Sequence, residues 1–421
     1  MGERAQPALP GSIVTDDAAQ IAALLHPGQR VFVAGAVAEP SALVSALATQ
    51  SLPRGLTFVQ FPLAGFNEID FTALTADARL TCVFMTPALK QANPDRLAFL
   101  PMHMRQFYDY LATGVDVALI QVGRDPDGNL RAAPNVDFLG AVLDSPAQVL
   151  AELNEALIVP RGAPLVPPQR LAAVLRTARP LPTPATPAPD AVARAIGERV
   201  ADLIDDGDCV QTGIGAIPAA ILEALAQKND LGWHGGLIDD AVLALIRRGV
   251  VTGASKSIDR HVHVTGMALC SAAGHAQLAE LDAVHFRGAN YTHDAEVIRR
   301  LRGFVSVNSA VQVDLSGQVN AEVVAGRQIS GTGGSVDFMR AARRSPGGRS
   351  IVALGATARG GTVSRIVSAV EHVTALRTDV DMVVTEHGVA RLRDLPLPAR
   401  REALIEIAAP GFRDALRAGD L

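Results

Sequence analysis

Apolar and polar positions fall in blocks along this chain rather than in strict alternation. "VDVALIQVG" (115–123), "FVSVNSAVQV" (304–313), "SIVALG" (350–355) and "MVVTEHG" (382–388) are near-continuous apolar runs ended by Gly-rich, polar or charged turns. Runs of that length and content predict strands covered on both faces, hence parallel or mixed open sheets. "DAVLALIRRG" (240–249) and "SVDFMRAARRS" (335–345) instead place apolar residues at helical spacing and predict helices. The alternation of strand, turn and helix predicts an α/β fold class.

Two stretches open alike. "VFVAGAVAEPSALVSALA" (31–48) and "CVQTGIGAIPAAILEALA" (209–226) agree at seven of eighteen positions without a gap, including Gly35/Gly213 and Pro40/Pro218. Each reads as an apolar strand, a glycine turn, and a helix with proline in its first turn, where no N–H is required. Between them, residues 159–189 hold nine prolines. That composition predicts a linker, with "QRLAAVLRTA" as one short helix inside it. The expected layout is therefore two similar open α/β domains, 10–158 and 190–421, which suits a chain of 421 residues, too long for one ordinary core.

Composition narrows the function classes. Hydrophobic content of 48% with 19% charged residues fits a folded enzyme-like chain, and a net charge of −5 argues against a dedicated nucleic-acid or anionic-membrane binder. The N-terminal "MGERAQPALPGSIVTDD" lacks the apolar core of a signal peptide, and Gln6 stands where a myristoylation signal at Gly2 needs Ser or Thr. No run approaches the roughly 18 uninterrupted apolar residues of a membrane span. Cys82, Cys209 and Cys270 show neither a disulfide framework nor zinc spacing, so a reducing, cytoplasmic setting is expected. His261 and His263 share a strand face as metal pairs do, but nothing at a familiar ligand spacing joins them, and no metal site is expected.

The strongest local signal is "RQISGTGGSVDFMRAARRS" (327–345). Gly331, Gly333 and Gly334 allow close backbone approach, and the helix behind them aims free N–H groups at the loop. An anion or developing oxyanion fits there, as does a plain structural turn. Gly213 and Gly215 in "TGIG" repeat the arrangement. Asn320 can direct its amide at a carbonyl oxygen or cap a loop. Arg359 beside two glycines suits a phosphate or carboxylate, or a solvated loop. His285 ends an apolar run, "LDAVHF", ahead of a polar loop in the half that carries the glycine turns, which marks it as a candidate for acid–base or nucleophilic work.

"QTGIGAIPAAILEAL", "NYTHDAEVI", "VNSAVQVDLSGQV", "SGTGGSVDFMRAA", "ATARGGTVSRIV" and "VVTEHGVARLRDLPL" follow one another in that order. Together they resemble the acetyl-CoA hydrolase/4-hydroxybutyrate CoA-transferase family, densely over 195–415 and more loosely in the first half. The resemblance implies two open CoA-transferase-type domains with acyl-CoA bound between them. It implies a glutamate that attacks the thioester, passing through an acyl-glutamyl anhydride and a glutamyl-CoA thioester. It also implies coenzyme A and oxyanion contacts from Gly331, Gly333 and Gly334, and support of the acyl carbonyl by Asn320.

Two departures accompany it. Phe286, Arg287, Tyr291 and Asp294 fall in register with the family segment that opens on the glutamate, and this register puts His285 in the nucleophile's place. Glu280 lies five residues earlier and needs a shifted strand to replace it. Gly235-Gly236 stand where relatives usually carry Ser-Glu. The expectation is an acyl-CoA hydrolase or acyl/CoA transferase using His285, with acyl-CoA and a small carboxylate as substrates, no permanently bound cofactor, no nucleic-acid or membrane partner, and a homodimeric assembly. An acyl-CoA decarboxylase or lyase on the same scaffold, and a non-catalytic acyl-CoA-binding homologue, are the alternatives.

Overall fold

The structure, a computed structural model, describes residues 13–184 and 187–419; the N-terminal signal-type readings at Gly2 and Gln6 lie outside them. The chain forms two compact units. The first comprises 13–184 together with 265–290, and the second comprises 187–264 and 291–419.

The first unit is built on a nine-stranded sheet. Its strands are β1 (Ile13–Thr15), β2 (Arg30–Val33), β3 (Thr57–Gln60), β4 (Arg79–Cys82), β5 (Leu97–Phe99), β6 (Val117–Arg124), β7 (Leu130–Arg131), β8 (Gln148–Ile158) and β9 (Leu171–Thr177). The order is β1-β9-β8-β6-β2-β3-β4-β5, with β7 paired to β6. All neighbours are parallel except β6/β7. The first seven residues of β6 are buried in succession, as a strand covered on both faces requires. Leu43, Leu47, Leu56, Phe58, Phe71 and Leu80 fill one core, with the Phe58 and Phe71 rings 4.9 Å apart.

The second unit centres on six strands: β10 (Cys209–Thr212), β11 (Gly232–Trp233), β12 (Phe304–Ser309), β13 (Arg349–Ala353), β14 (Met382–Thr385) and β15 (Gly388–Arg391). Their order is β11-β10-β12-β13-β14-β15, parallel up to the antiparallel β14/β15 hairpin. The helices Asp240–Arg247 and Ser335–Arg344 form where the apolar spacing predicts them. Asp239 caps the first by accepting from Val242 N. The repeated opening is also present. β2 leads through Gly35 to helix Ser41–Ala48, and β10 leads through Gly213 and Gly215 to helix Ala216–Ala224, with Pro218 in its first turn.

Two expectations about domain layout need correction. The stretch 171–177 is strand, not a helix in a linker. Its apolar residues are buried between β8 and β1, and parallel pairing on both sides overrides a short run that fits either period. The second domain also does not run unbroken from 190, because 265–290 folds with the first unit. Val136 N donates to Gly266 O at 2.9 Å, Ala268 N to Pro134 O at 2.7 Å, Phe286 N to Gly162 O at 2.9 Å and Ala289 N to Asp137 O at 2.7 Å. These bonds satisfy backbone groups of 134–137 and 162 that would otherwise be lost on burial. Among the described residues no helix is long and apolar enough to cross a membrane.

Candidate active site

The glycine turn of the second unit is braced by a buried acid. Glu322 accepts from Thr332 Oγ1 and from Gln328 Nε2, both at 3.0 Å, and its carbonyl takes Ile329 N at 2.8 Å. Ser335 Oγ donates back to Thr332 O at 2.9 Å. Gly333 has φ +56°, which L side chains adopt at a cost, and Gly334 precedes the ten-residue helix Ser335–Arg344. The turn therefore presents helix N-terminal amides from a fixed loop.

Asn320 is fully employed in holding that loop's approach. Its Nδ2 donates to Val323 O at 2.7 Å and Gln312 Oε1 at 3.4 Å, while Oδ1 accepts from Glu322 N and Val323 N at 3.1 and 3.0 Å. Both amide hydrogens are engaged within the loop, so supporting an acyl carbonyl would require exchanging one of them, the 3.4 Å bond to Gln312 being the weaker. Gly213 and Gly215 line a turn where a Cβ would meet no atom within 4 Å, and Gly215 has φ +116°. Arg359 sits at the exposed tip of the hairpin Thr357–Ala358/Val363–Ser364, followed by Gly360 and Gly361 at positive φ.

His285 belongs to the first unit, not to the half that carries the glycine turns. It lies on the short strand Val284–Phe286, half-buried, lining a pocket with Arg131, Arg161, Gly162, Asp282 and Arg287. Arg131 is tied to Asp125 at 2.5 Å, and Arg161 to Asp127 at 2.8 Å and Asp282 at 3.6 Å. The candidate site residues are thus divided. Gly213, Gly215, Asn320, Gly331, Gly333, Gly334 and Arg359 are in the second unit, and His285 is in the first.

A second histidine, which pattern reading passed over, stands against the glycine turn itself. His293 is 4% exposed, and its ring packs on Phe338 of helix Ser335–Arg344 with centroids 4.4 Å apart. Nδ1 lies 2.8 Å from Thr292 Oγ1. A Cβ added at Gly334 would fall 2.2 Å from His293 Nε2, and one at Gly236 would fall 3.1 Å from the same atom. Burial pushes the ring's pKa down to about 3, so it is neutral at ordinary pH. Next to it, His234 is also held neutral, its pKa lowered to about 3 by burial and by Lys256. Its Nε2 is 3.2 Å from Thr292 O, and because a carbonyl only accepts, that nitrogen carries the proton.

The first unit has its own buried carboxyl at the repeated opening. Glu39 Oε2 accepts from both Gln60 Nε2 (2.7 Å) and Asn67 Nδ2 (3.0 Å), leaving Oε1 free to carry a proton. Arg179, the nearest cation, places its Nε on Glu152 at 2.6 Å and gives Glu39 only a bond to its main-chain oxygen. Burial accordingly raises the Glu39 pKa from 4.5 to about 7. The native state then holds a proton that the unfolded chain releases, so stability falls as pH rises from about 4.5 to 7 and stays lower above. The cost is on the order of 3 kcal/mol. Urea unfolding at pH 5 and pH 8 checks this: the wild type loses more stability on going to pH 8 than Glu39→Gln does. Asp137, pushed up to about 8 by burial, contributes to both proteins and cancels in that difference. Equal losses in the two proteins would contradict the assignment.

Mostly parallel open sheets with glycine turns leading into helices define an α/β protein. The N-terminal domain of acetyl-CoA hydrolase/transferase matches residues 15–163, and the C-terminal domain of the same family matches 274–419. The chain belongs to the acetyl-CoA hydrolase/transferase family. It is 35% identical to the 4-hydroxybutyrate coenzyme A transferase of Clostridium kluyveri, over 92% of each chain. It is 33% identical to the butyryl-CoA:acetate CoA-transferase of Anaerostipes caccae, over 77% of this chain and 74% of that one. Among solved structures, RipA from Yersinia pestis superposes with a TM-score of 0.89 at 29% identity, covering 97% of this chain and 96% of its own.

Proposed function

We propose that this chain is an acyl-CoA-processing enzyme, an acyl-CoA hydrolase or acyl/CoA transferase, acting on an acyl-CoA with water or a small carboxylate as acceptor. The observation that carries the reading is the glycine turn Gly331–Gly334, braced by Glu322 and opening into a helix N-terminus, in a chain whose relatives are named as CoA-transferases. Backbone amides in that setting stabilise the oxyanion that forms when a thioester carbonyl is attacked. Gly213, Gly215 and Arg359 are assigned to coenzyme A. A homodimer in the cytoplasm accompanies this reading, and three buried cysteines outside any disulfide suit a reducing compartment.

His285 is proposed as the attacking group or base in place of the family glutamate. Attack by the imidazole on the thioester carbon expels coenzyme A thiolate and leaves an acyl-imidazole; water cleaves it to the free acid, or a carboxylate displaces the imidazole to give a mixed anhydride, whose acceptor carbonyl the thiolate attacks to form the new thioester and release the original acid. The register of "HFRGANYTHD" supports this role, as does a half-buried ring on an open pocket. Release of free thiol from a panel of short acyl-CoAs tests the hydrolase branch, and formation of acetyl-CoA from the same panel with acetate tests the transferase branch. His285→Ala is expected to lose at least about 10²-fold in turnover. Undiminished turnover removes His285 from the chemistry and leaves the wider reading standing.

One observation favours a second reading. Residue 285, which the register puts in the nucleophile's place, is a histidine and supplies no carboxylate. A site with an oxyanion cradle and no nucleophile suits decarboxylation of an acyl-CoA through its enolate. Products with the thioester intact and lighter by carbon dioxide distinguish this outcome by mass.

A further inference from the structure

We propose that His293 is a catalytic hydrogen-bond donor: its Nε2–H points at the thioester carbonyl oxygen held by the Gly331–Gly334 turn, with the Thr292 hydroxyl fixing the tautomer from the other side of the ring. This rests on the acyl-CoA reading above and adds a residue to it.

Three features of the second unit converge on that nitrogen. First, the ring stands where side chains are missing. Gly334 permits it, since a Cβ there would lie 2.2 Å from Nε2 and 2.4 Å from Cδ2, inside any allowed contact. Gly236 leaves room for it, since a Cβ there would sit 3.1 Å from both Nε2 and Cε1. The imidazole and any side chain at 236 therefore compete for one volume, and this chain fills that volume with a neutral ring rather than with a carboxylate. Second, the ring is fixed: Phe338 packs on it at 4.4 Å, and Thr292 Oγ1 is 2.8 Å from Nδ1. Third, Nδ1 is the ring nitrogen with a hydrogen-bond partner among the described residues, so Nε2 remains available in a side chain that is 4% exposed. Nε2 is not sealed from solvent as His234 Nδ1 beside it is, so a ligand atom can take the place of water on it.

The neutral state follows from burial, and a neutral imidazole is the form that donates one proton from Nε2 when a hydroxyl donates to Nδ1. No proton is transferred. The bond strengthens as the carbonyl oxygen gains charge in the transition state, which is where a donor accelerates the reaction.

The test uses the full-length protein. His293→Ala is expected to lower kcat about 10²–10³-fold while KM changes less than about threefold, the signature of a group that acts in the transition state. His293→Gln, which can place an amide N–H near the same point, is expected to recover about a tenfold share of that loss. Activity of the alanine variant within about threefold of wild type overturns the proposal, as does a rise in KM with kcat unchanged. A measurement on the wild type alone guards against misfolded variants. In 15N-histidine NMR, His293 is expected as the Nε2–H tautomer, with Nδ1 unprotonated, and the opposite tautomer overturns the assignment. Acetyl-CoA carrying a 13C carbonyl separates the two levels of inference. A downfield shift on binding to wild type that is absent with His293→Ala supports the donor, and an equal shift in both sinks it. No binding and no turnover by wild type sinks the acyl-CoA reading instead.

Discussion

Asp381→Ala is expected to cost the second unit about 2–4 kcal/mol, below the top of the range for removing one partner of a buried ion pair, because Arg343 and Arg393 stay 30% and 40% exposed and can be solvated. The carboxylate is wholly buried and holds three groups at once. Arg343 Nη1 reaches Oδ1 at 2.5 Å, Arg393 grips both oxygens at 2.9 and 2.7 Å, and Ser350 N donates to Oδ2 at 2.9 Å. It joins the helix Ser335–Arg344 to the entry of β13 and to the chain leaving β15. Deleting it leaves two guanidiniums facing each other and a buried amide without an acceptor, and these penalties exceed the loss of the bonds themselves. Asp381→Asn keeps an acceptor for Ser350 and is expected to cost about half as much. Urea unfolding at pH 7, read with hydrogen exchange at the Ser350 amide, measures both. A loss under about 1 kcal/mol for the alanine variant would contradict this account.

Gly162→Ala is expected to detach 265–290 from the first unit. A Cβ at 162 would fall 1.8 Å from Val284 O, 2.9 Å from Val284 C and 3.2 Å from His285 Cα, all backbone atoms with no rotamer to yield. Overpacking against side chains costs typically 1–3 kcal/mol, and a backbone clash sits at or beyond the top of that range. The bond from Phe286 N to Gly162 O is the first to go. Exchange at the Phe286 and Ala289 amides should accelerate at least about tenfold, while amides of β10 and β12 keep their protection. Uniform acceleration, or none, would show that the segment is not held at this point. The same variant moves His285, so its effect on thiol release, set beside that of His285→Ala, separates displacement of the ring from its removal.

The interior strands were readable because burial on both faces leaves an unbroken apolar run, as in "VDVALIQVG" and "SIVALG". "LAAVLRT" was not readable in the same way. A seven-residue apolar segment fits either period, and only its neighbours β8 and β1, distant in sequence, decide for strand. The return of 265–290 was hidden for the same reason, since its partners at 134–137 and 162 lie more than a hundred residues upstream. At the site, the glycine turn was legible from composition alone. Asn320 was legible as a polar residue in that segment, while the bonds by which it caps the loop depend on backbone geometry that pattern does not carry. His293 left no local signal. "YTHD" reads as ordinary loop, and the ring's setting depends on glycines at 236 and 334 that only the fold brings to it.

The interrupted path of the first unit also orders events during synthesis. Its sheet can assemble once residue 184 is made, but its last piece, 265–290, leaves the ribosome only after about a hundred further residues. At roughly 5–20 residues per second that is a wait on the order of 5–20 s. Through that interval the backbone of 134–137 and Gly162 O face water instead of their partners. A nascent chain stalled between 185 and 264 should therefore expose those edges to chaperones and proteases, and one released past 290 should not.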